Sequence, residues 1–279
     1  MKKIKIVTDS SAIFEDGVVE NLGIEIVPLT VTVDNISYFD NDLTAEEFIK
    51  MMEKSEMFPK TSQPSIGSFV EKYDALKEFD VISIHLTRHL SGTVESARQA
   101  SHISHTEVTV IDSGFIDQAL AAQVIRAAKM AETGASKEEI LSTLEKMKAS
   151  TRLFVGISSL DNLVKGGRLS KAKGMVSNLL NIKVVLELTS TEGLVEVVKG
   201  RGNKTFSKWF DALQENLQSE GKLSHLLISH ADALEIVTPF KEKISELVPD
   251  LHIPMLPTGS VIATHAGIGA FAIEYISEN

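Results

Sequence analysis

Four short stretches rich in hydroxyl side chains are the part of this 279-residue chain best suited to chemistry. They lie at residues 8–11 (TDSS), 61–65 (TSQPS), 90–93 (LSGT) and 111–114 (IDSG). Three of them stand where an apolar, strand-like run ends and a helix or turn begins. Hydroxyl groups and the free N–H groups of a helix start donate hydrogen bonds without supplying reactivity. The pattern therefore favours a pocket for a small anionic group over a centre that breaks bonds.

The composition excludes several other kinds of site. The chain has no cysteine, which rules out disulfides, thiol catalysis and zinc–thiolate centres. Its eight histidines show no metal-ligand spacing, so we expect no metal and no cofactor. A net charge of −10 argues against nucleic acid as a partner, because phosphate binding needs a basic face. No run approaches the roughly 18 apolar residues of a membrane span, and the N-terminal apolar run is too short for a signal peptide, so we expect a soluble cytoplasmic protein.

The first half of the chain alternates between strand and helix patterns that would position the hydroxyl stretches. Strands rich in Ile and Val are predicted at residues 3–8, 24–33, 80–86 and 107–111. Capping boxes at Thr44 and Ser136 open helices, and a further helix is predicted to start at the Ser91 stretch. Strands that alternate with helices build parallel sheets covered on both faces. We therefore expect a three-layer α/β/α, Rossmann-like domain with a mostly parallel sheet over residues 1–150.

The pattern changes in the second half, where a hairpin interrupts the alternation. Residues 183–188 and 194–198 flank a Thr-Glu-Gly turn and are predicted to pair as a β-hairpin. Further strands are predicted at 153–157, 226–229, 252–255 and 260–264, and helices at 206–217 and 233–247. The chain is therefore expected to be an α/β protein of two domains, the second being a C-terminal α/β domain with a mixed sheet over residues 151–279.

Asp9 and Ser91 each admit two interpretations. Asp9 closes the first strand, where some phosphatases place an aspartyl nucleophile, but Ser11 stands where those enzymes need a second acid. An Asp or Ser that caps a turn is the commoner use of such residues. Ser91 and Gly92 open a helix whose start offers free N–H groups and positive potential. That start can serve equally as an anion cradle or as a plain helix cap.

Several polar residues outside the hydroxyl stretches are also candidates. A double glycine before Arg168 is typical of a tight turn, and Arg201 lies in a second basic, glycine-bearing turn. Arginine can bind a carboxylate or phosphate through two parallel hydrogen bonds. Asp40 and Asp42 are expected on a solvated turn. His265 precedes a glycine-rich segment predicted to start a helix, from which its imidazole could reach a bound anion, and too few residues follow for a dinucleotide-binding unit.

The order of these motifs resembles the DegV family of bacterial fatty-acid-binding proteins over essentially the whole chain. The resemblance is carried by the four hydroxyl stretches together with residues 166–170 (GGRLS), 179–183 (LLNIK) and 265–269 (HAGIG). It implies two α/β domains that enclose one long-chain fatty acid, such as palmitate, stearate or oleate, in an apolar tunnel between them. The carboxylate would lie at the mouth of that tunnel.

By motif position, the resemblance assigns the fatty acid carboxylate to hydroxyl side chains. Thr61 and Ser91 would donate hydrogen bonds to it. The remaining ligand-binding positions that the resemblance implies are Ser62, Gly92, Thr93 and His265. In members that serve fatty acid kinase, a separate ATP-dependent subunit phosphorylates the bound carboxylate, and Arg168 and Arg201 match the basic positions that face this kinase or the phosphate. The resemblance thus implies a carrier in lipid metabolism and transport, not an enzyme.

Three residues depart from the family pattern. Val184 stands where the family has proline, and Ala266 and Ile268 replace the threonine and proline of its C-terminal motif. The missing hydroxyl at residue 266 removes one contact to the head group, and the missing prolines change the local loop. Burial of a 16-carbon chain at about 0.8 kcal/mol per methylene still supplies on the order of 10 kcal/mol gross. The head group then needs only orientation by hydrogen bonds.

Two other functions remain open from the sequence. A hydrolase or phosphatase-like enzyme would use Asp9 or Ser91 with His265, although the chain has no Gly-x-Ser-x-Gly elbow. A lipid-sensing regulatory module would bind a fatty acid without presenting it to a kinase. Because the chain is acidic, it would not attach permanently to anionic lipid, and any contact with a membrane is expected to be transient.

Overall fold

The computed structural model describes residues 2–168 and 182–278. Residues 169–170 of one family motif and 179–181 of another therefore lie outside the described part. The strands are β1 (Lys3–Asp9), β2 (Glu25–Val27), β3 (Thr30–Val33), β4 (Ile36–Phe39), β5 (Lys60–Ser62), β6 (Phe79–His85), β7 (Val108–Asp112), β8 (Thr151–Ile157), β9 (Ile182–Thr189), β10 (Gly193–Arg201), β11 (Leu223–Ala231), β12 (Met255–Pro257) and β13 (Ala270–Ser277). The helices are α1 (Val18–Asn21), α2 (Ala45–Lys54), α3 (Ile66–Asp74), α4 (Thr93–Ile103), α5 (Asp117–Glu132), α6 (Lys137–Ser150), α7 (Asp161–Lys165), α8 (Lys204–Ser219), α9 (Leu234–Leu247) and α10 (Ser260–Ala266), with a short 3-10 helix at Asp40–Asp42.

Four strands in the order β2-β1-β6-β7 pair in parallel throughout and form the parallel sheet. Successive side chains of β1 point to opposite faces of this sheet. Ile6 packs in one apolar cluster with Leu120 of α5 and Leu144 of α6. Val7 packs in another cluster with Phe69 of α3. Helices therefore cover both faces, which confirms the predicted three-layer, Rossmann-like arrangement.

Three antiparallel strands in the order β4-β3-β5 form a small sheet that the sequence did not predict. Residues 24–33 were expected as one strand, and this expectation is wrong. Pro28 lacks a backbone N–H and ends β2 in the parallel sheet, after which the chain turns and enters β3 of the small sheet. The turn is held by Ser10, whose Oγ accepts a hydrogen bond of 3.0 Å from the backbone N–H of Leu29.

Six strands in the order β10-β9-β8-β13-β11-β12 form a mixed sheet, in which only β11 and β12 are described as a parallel pair. Strands β9 and β10 are the predicted hairpin, so that prediction is confirmed. Phe154 and Ile273 point from one face toward α8 and α9. Leu153 and Ile157 point from the other face into the cluster shared with the first half of the chain.

The C-terminal segment differs from the sequence prediction at two places. Residues 260–264 were expected to form a strand, but they belong to α10, because tertiary packing overrides the strand preference of their β-branched side chains. The segment after His265 was expected to open a helix. Gly267 (φ +84°) and Gly269 (φ +79°) instead end α10 in the left-handed region and lead into β13, an interior strand of the mixed sheet.

The two halves of the chain meet through helices of the first and strands of the second. Helices α5 and α6 contact β13 as well as packing in the first half, and Gln118 Nε2 donates to the backbone oxygen of Ile228 at 2.7 Å. The division into domains 1–150 and 151–279 therefore stays a prediction. None of the helices in the described ranges has the length and apolarity needed to cross a membrane.

Candidate functional site

A cavity of about 350 Å³ lies between the mixed sheet, α10 and the segments that follow β5 and β6. Alternate residues of β8 contribute one wall, which is continued by β9 and β10. These apolar lining residues are Leu153, Val155, Ile157, Leu186 and Leu194. The volume and the mainly apolar wall are those of a small-molecule pocket.

Thr61 and His265 come together in this cavity although 204 residues separate them in sequence. Thr61 is fixed in β5 opposite Val31 of β3, and His265 lies in the last turn of α10. The distance between Thr61 Oγ1 and His265 Nε2 is 2.7 Å. A methyl group on Gly166 would overlap the imidazole, so glycine at that position permits its close approach to α7. The predicted site residues at the two ends of the chain are thus in direct contact.

The His265 imidazole is neutral near pH 7. Burial lowers the pKa of His265 to about 4, with a smaller contribution from the nearby positive charge of Arg168. Its Nδ1 is buried and has no hydrogen-bond partner among the described residues. An unpartnered acceptor is less costly than an unpartnered N–H, so the proton belongs on Nε2, which then donates to Thr61. This tautomer leaves the hydrogen of the Thr61 hydroxyl available to another acceptor.

The Ser91 stretch contributes a second hydroxyl to the cavity wall. Ser91 Oγ lies 2.9 Å from Thr93 Oγ1 and accepts from the Thr93 backbone N–H at 3.3 Å, directly before the Gly92 N-cap of α4. Ser62 also lines the cavity, whereas Gly92 and Thr93 do not, and Thr93 is fully buried behind Ser91. Contact of the six predicted residues with a ligand stays a prediction.

Arg168 also lies at the cavity wall. Its Nε donates to the backbone oxygen of Leu90 at 3.2 Å and its Nη1 to that of Gly166 at 2.7 Å. Burial lowers the pKa of the Arg168 guanidinium from its ordinary value, because the charged form loses water. Within residues 2–168 and 182–278, no carboxylate lies at ion-pair distance from it. Arg201 is exposed at the end of β10, outside the cavity wall.

The three residues that differ from the family pattern lie in well-defined structural environments. Val184 is fully buried in β9, which pairs with strands on both sides, so its backbone can take part in a ladder that a proline could not complete. Ala266 lines the cavity and Ile268 packs beside the central apolar cluster. The replaced positions therefore remain at or next to the site.

Asp9 does not meet Ser91 or His265. Its Oδ2 lies 2.9 Å from His85 Nδ1 and accepts from the backbone N–H of Leu86 at 3.0 Å, while Oδ1 accepts from Ser11. His85 Nε2 in turn lies 2.6 Å from Ser83 Oγ. Asp9, His85 and Ser83 are fully buried and do not line the cavity. The arrangement that the enzyme alternative needs for Asp9 is absent from the described residues.

Two buried carboxylates support the cavity, one at the start of α10 and one at the wall, and no local sequence pattern indicates them. Asp40, expected on a solvated turn, is only 3% exposed and accepts from Ser260 Oγ at 2.5 Å and from the Val261 N–H at 3.0 Å, at the start of α10. Asp117 lines the cavity and accepts from Ser229 Oγ (2.8 Å) and Thr258 Oγ1 (2.6 Å). Burial raises the pKa of Asp117 to about 6 and that of Asp40 above its ordinary value.

The comparisons with known proteins agree with this structure. The sequence profile of the DegV family, described as uncharacterised proteins, matches residues 3–278. A DegV domain-containing protein of Streptococcus pyogenes is 47% identical over 278 residues, which is 98% of each chain. The solved structure of DegV from Bacillus subtilis, described as a fatty acid binding protein, has a TM-score of 0.90 and 31% identity over 100% of both chains. A DegV family protein of Thermus thermophilus, described by its fatty acid binding, has a TM-score of 0.88 and 28% identity, over 99% of this chain and 100% of its own. This chain belongs to the DegV family.

Proposed function

We propose that this protein binds one long-chain fatty acid, such as palmitate, stearate or oleate, with the carboxylate at the Thr61–His265 end of the cavity. One observation carries the proposal: an apolar cavity has at its wall a half-buried arginine, Arg168, that lacks a carboxylate partner among the described residues. Such a cation favours an anionic ligand with an apolar body. The relatives from Bacillus subtilis and Thermus thermophilus, described as fatty acid binding, support this choice.

Each polar residue at this end has a distinct role in the proposal. Thr61 donates its hydroxyl hydrogen to the carboxylate, because the His265 Nε2–H occupies the Thr61 oxygen. Ser91 donates a second hydrogen bond from the start of α4, and Arg168 balances the charge. Ser62 adds a further hydroxyl at the cavity wall, and the buried Thr93 supports the Ser91 hydroxyl from behind. In this proposal the described site holds and orients its ligand, because the His265 Nε2–H donates to Thr61 and leaves no base to activate that hydroxyl.

The first experiment identifies the ligand. Protein purified without detergent is analysed by native mass spectrometry and by lipid extraction. We expect one fatty acid per chain, because burial of the acyl chain provides most of the binding free energy. A protein that purifies empty and takes up neither palmitate nor oleate would refute the proposal.

A second experiment tests the head-group contacts. Loss of a hydrogen bond to a charged group costs about 1.5–3 kcal/mol, so Thr61→Ala with Ser91→Ala is expected to weaken palmitate binding by at least about tenfold. The matched control is Thr32→Ala with Ser37→Ala, which removes an exposed hydroxyl pair of 2.9 Å in the same small sheet. Equal affinities in the two double variants would show that Thr61 and Ser91 do not hold the ligand.

We further propose that the protein is a non-catalytic carrier for a separate ATP-dependent fatty acid kinase subunit. A carboxylate oxygen would attack the γ-phosphorus of ATP, forming an acyl phosphate and releasing ADP. Arg168 at the cavity wall and exposed Arg201 are the cations that would face the transferred phosphate or the kinase. Mixing the loaded protein with kinase and ATP should yield acyl phosphate. A loaded protein that gives none would instead be a lipid-sensing module.

The proposal also includes a cytoplasmic location and only transient contact with membranes. The net charge of −10 opposes lasting attachment to anionic lipid, so exchange of fatty acid with a bilayer would be reversible. Co-sedimentation with anionic vesicles at physiological salt is expected to recover little protein. Stable co-sedimentation would contradict this part.

A further inference from the structure

Gly92 is a glycine whose backbone does not require one. Its φ of −82° and ψ of 6° lie in a region that other residues also occupy. The reason lies instead in its neighbour. A Cβ at residue 92 would overlap Gln63 Oε1 and would lie 3.1 Å from Gln63 Cδ and 3.2 Å from Nε2. The amide of Gln63 therefore occupies the space that a side chain at residue 92 would fill.

Gln63 is held at both ends. Its Nε2 donates to Ser96 Oγ at 2.7 Å, and Ser96 is 5% exposed within the first turns of α4. Its backbone precedes Pro64, which is buried and restricts Gln63 to an extended conformation. Gln63 also lines the cavity, and its amide nitrogen is fixed there against the start of α4.

The contact joins two parts of the candidate site that come from different sheets. Thr61 belongs to β5 of the small sheet, and Ser91 follows β6 of the parallel sheet. Among the described residues, the Gln63–Ser96 hydrogen bond is the one that links segment 60–63 directly to segment 90–96. Helix α3 also packs on α4, but it begins only after Pro64 and so does not hold Thr61 directly.

We infer that Gln63 is a positioning residue that sets the spacing of Thr61 and Ser91 for one carboxylate, and that residue 92 is glycine to admit the Gln63 amide. The ligand in this statement rests on the proposed function. Gly92, which the family resemblance implied as a ligand contact, then acts by leaving room for Gln63. A displacement of about 1 Å takes a hydrogen bond of ordinary length beyond the distance at which it still forms.

The test compares palmitate with its methyl ester, which has the same acyl chain but no carboxylate. Gly92→Ala and Gln63→Ala are each expected to weaken palmitate binding about tenfold, the size of one charge-assisted hydrogen bond, and to leave methyl ester binding unchanged. The double variant should bind like Gln63→Ala alone, because no amide is left to displace. Gly67→Ala is the matched control, since a Cβ there lies 3.7 Å from Ser65 Oγ in ordinary contact.

A second measurement needs no ligand. Amide hydrogen exchange of β5 should be faster in Gln63→Ala than in the wild type or in Gly67→Ala. If the wild type binds no palmitate, the proposed function fails while the exchange data still decide whether Gln63 holds β5. Unchanged exchange, equal losses for the acid and the ester, or additive effects in the double variant would each overturn the inference.

Discussion

Two histidines of this protein each lie at hydrogen-bond distance from a hydroxyl side chain, and only one of the two networks faces a cavity. The buried network consists of Asp9, His85 and Ser83, all of them fully buried. The cavity network consists of Thr61, His265 and Arg168. In the buried network the Asp9 carboxylate has donors on both oxygens. In the cavity network His265 Nδ1 has no described partner, and Arg168 has no described carboxylate.

The difference shows what separates a scaffold from a site. The buried network has the Asp–His–Ser connectivity of a catalytic triad, yet its serine has no access to a substrate. The cavity network lacks that connectivity but retains hydrogen-bonding capacity beside open space. Function therefore follows from unused polar groups at a cavity and not from residue types alone.

The largest effect is expected from breaking the buried network. Asp9→Ala removes the acceptor of several buried donors, so the free energy of unfolding should fall by about 3–5 kcal/mol. Palmitate affinity per folded molecule should not change, because Asp9 does not line the cavity. Urea unfolding and a palmitate titration measure the two quantities. Asp16→Ala, which removes an exposed acid, is the control. A stable Asp9→Ala variant that cannot bind ligand would place Asp9 in the binding site and not in the scaffold.

Asp117 combines features of both networks, because it is hydrogen-bonded and buried yet lines the cavity. Its pKa of about 6 exceeds the ordinary 3.8. Between these values the folded chain binds more protons than the unfolded chain, so the contribution of Asp117 to stability is full below about pH 4 and is lost as the pH rises through 6.

The corresponding variant is Asp117→Asn, which keeps an oxygen acceptor and cannot titrate. A pKa difference of about two units corresponds to roughly 3 kcal/mol. From pH 4 to pH 7, the free energy of unfolding of the variant should rise relative to that of the wild type by roughly 3 kcal/mol. Urea unfolding at several pH values measures it, with the exposed Asp42→Asn as control. A flat difference would mean that the pKa of Asp117 is not raised above its ordinary value in the folded protein.

Local signals predicted much of the fold. The capping boxes of Thr44 and Ser136 are both present, because they depend on residues only three positions apart. The parallel sheet and the β9–β10 hairpin also agree with the sequence patterns. By contrast, Ser260 starts a helix whose short β-branched sequence favours a strand, and its partner Asp40 lies 220 residues away.

The candidate site could be predicted only through the order of the motifs. Thr61 and His265 share no local pattern, since their contact depends on how β5 and α10 meet. The role of Gln63 was equally invisible, because the space at Gly92 is defined by the folded chain. Polar residues that serve the scaffold, such as Asp9, look the same in sequence as those that line a cavity.

A smaller effect is expected from the cation of the cavity network. Arg168→Met keeps a long apolar side chain but removes the charge, so palmitate binding should weaken by about 2 kcal/mol, roughly thirtyfold. Binding of hexadecanol should change little, because it carries no charge. Arg88→Met is the control, since Arg88 pairs with Asp112 at 2.6 Å outside the cavity wall. Equal losses for acid and alcohol would assign Arg168 to packing.

The smallest effect concerns the proton on His265. In the free protein its pKa is about 4, so the imidazole should show no titration between pH 5 and 8, where an exposed histidine titrates with a pKa of about 6.5. A bound carboxylate favours the imidazolium and should raise this pKa, so fatty acid affinity should increase as the pH falls toward it.

Nitrogen-15 NMR with and without palmitate measures both pKa values, and His265→Gln assigns the signal. In Arg168→Met the pKa should rise only slightly, because burial is the larger cause. Titration near 6.5 in the free protein would place the ring in water and remove the distinction between this histidine and an ordinary surface one.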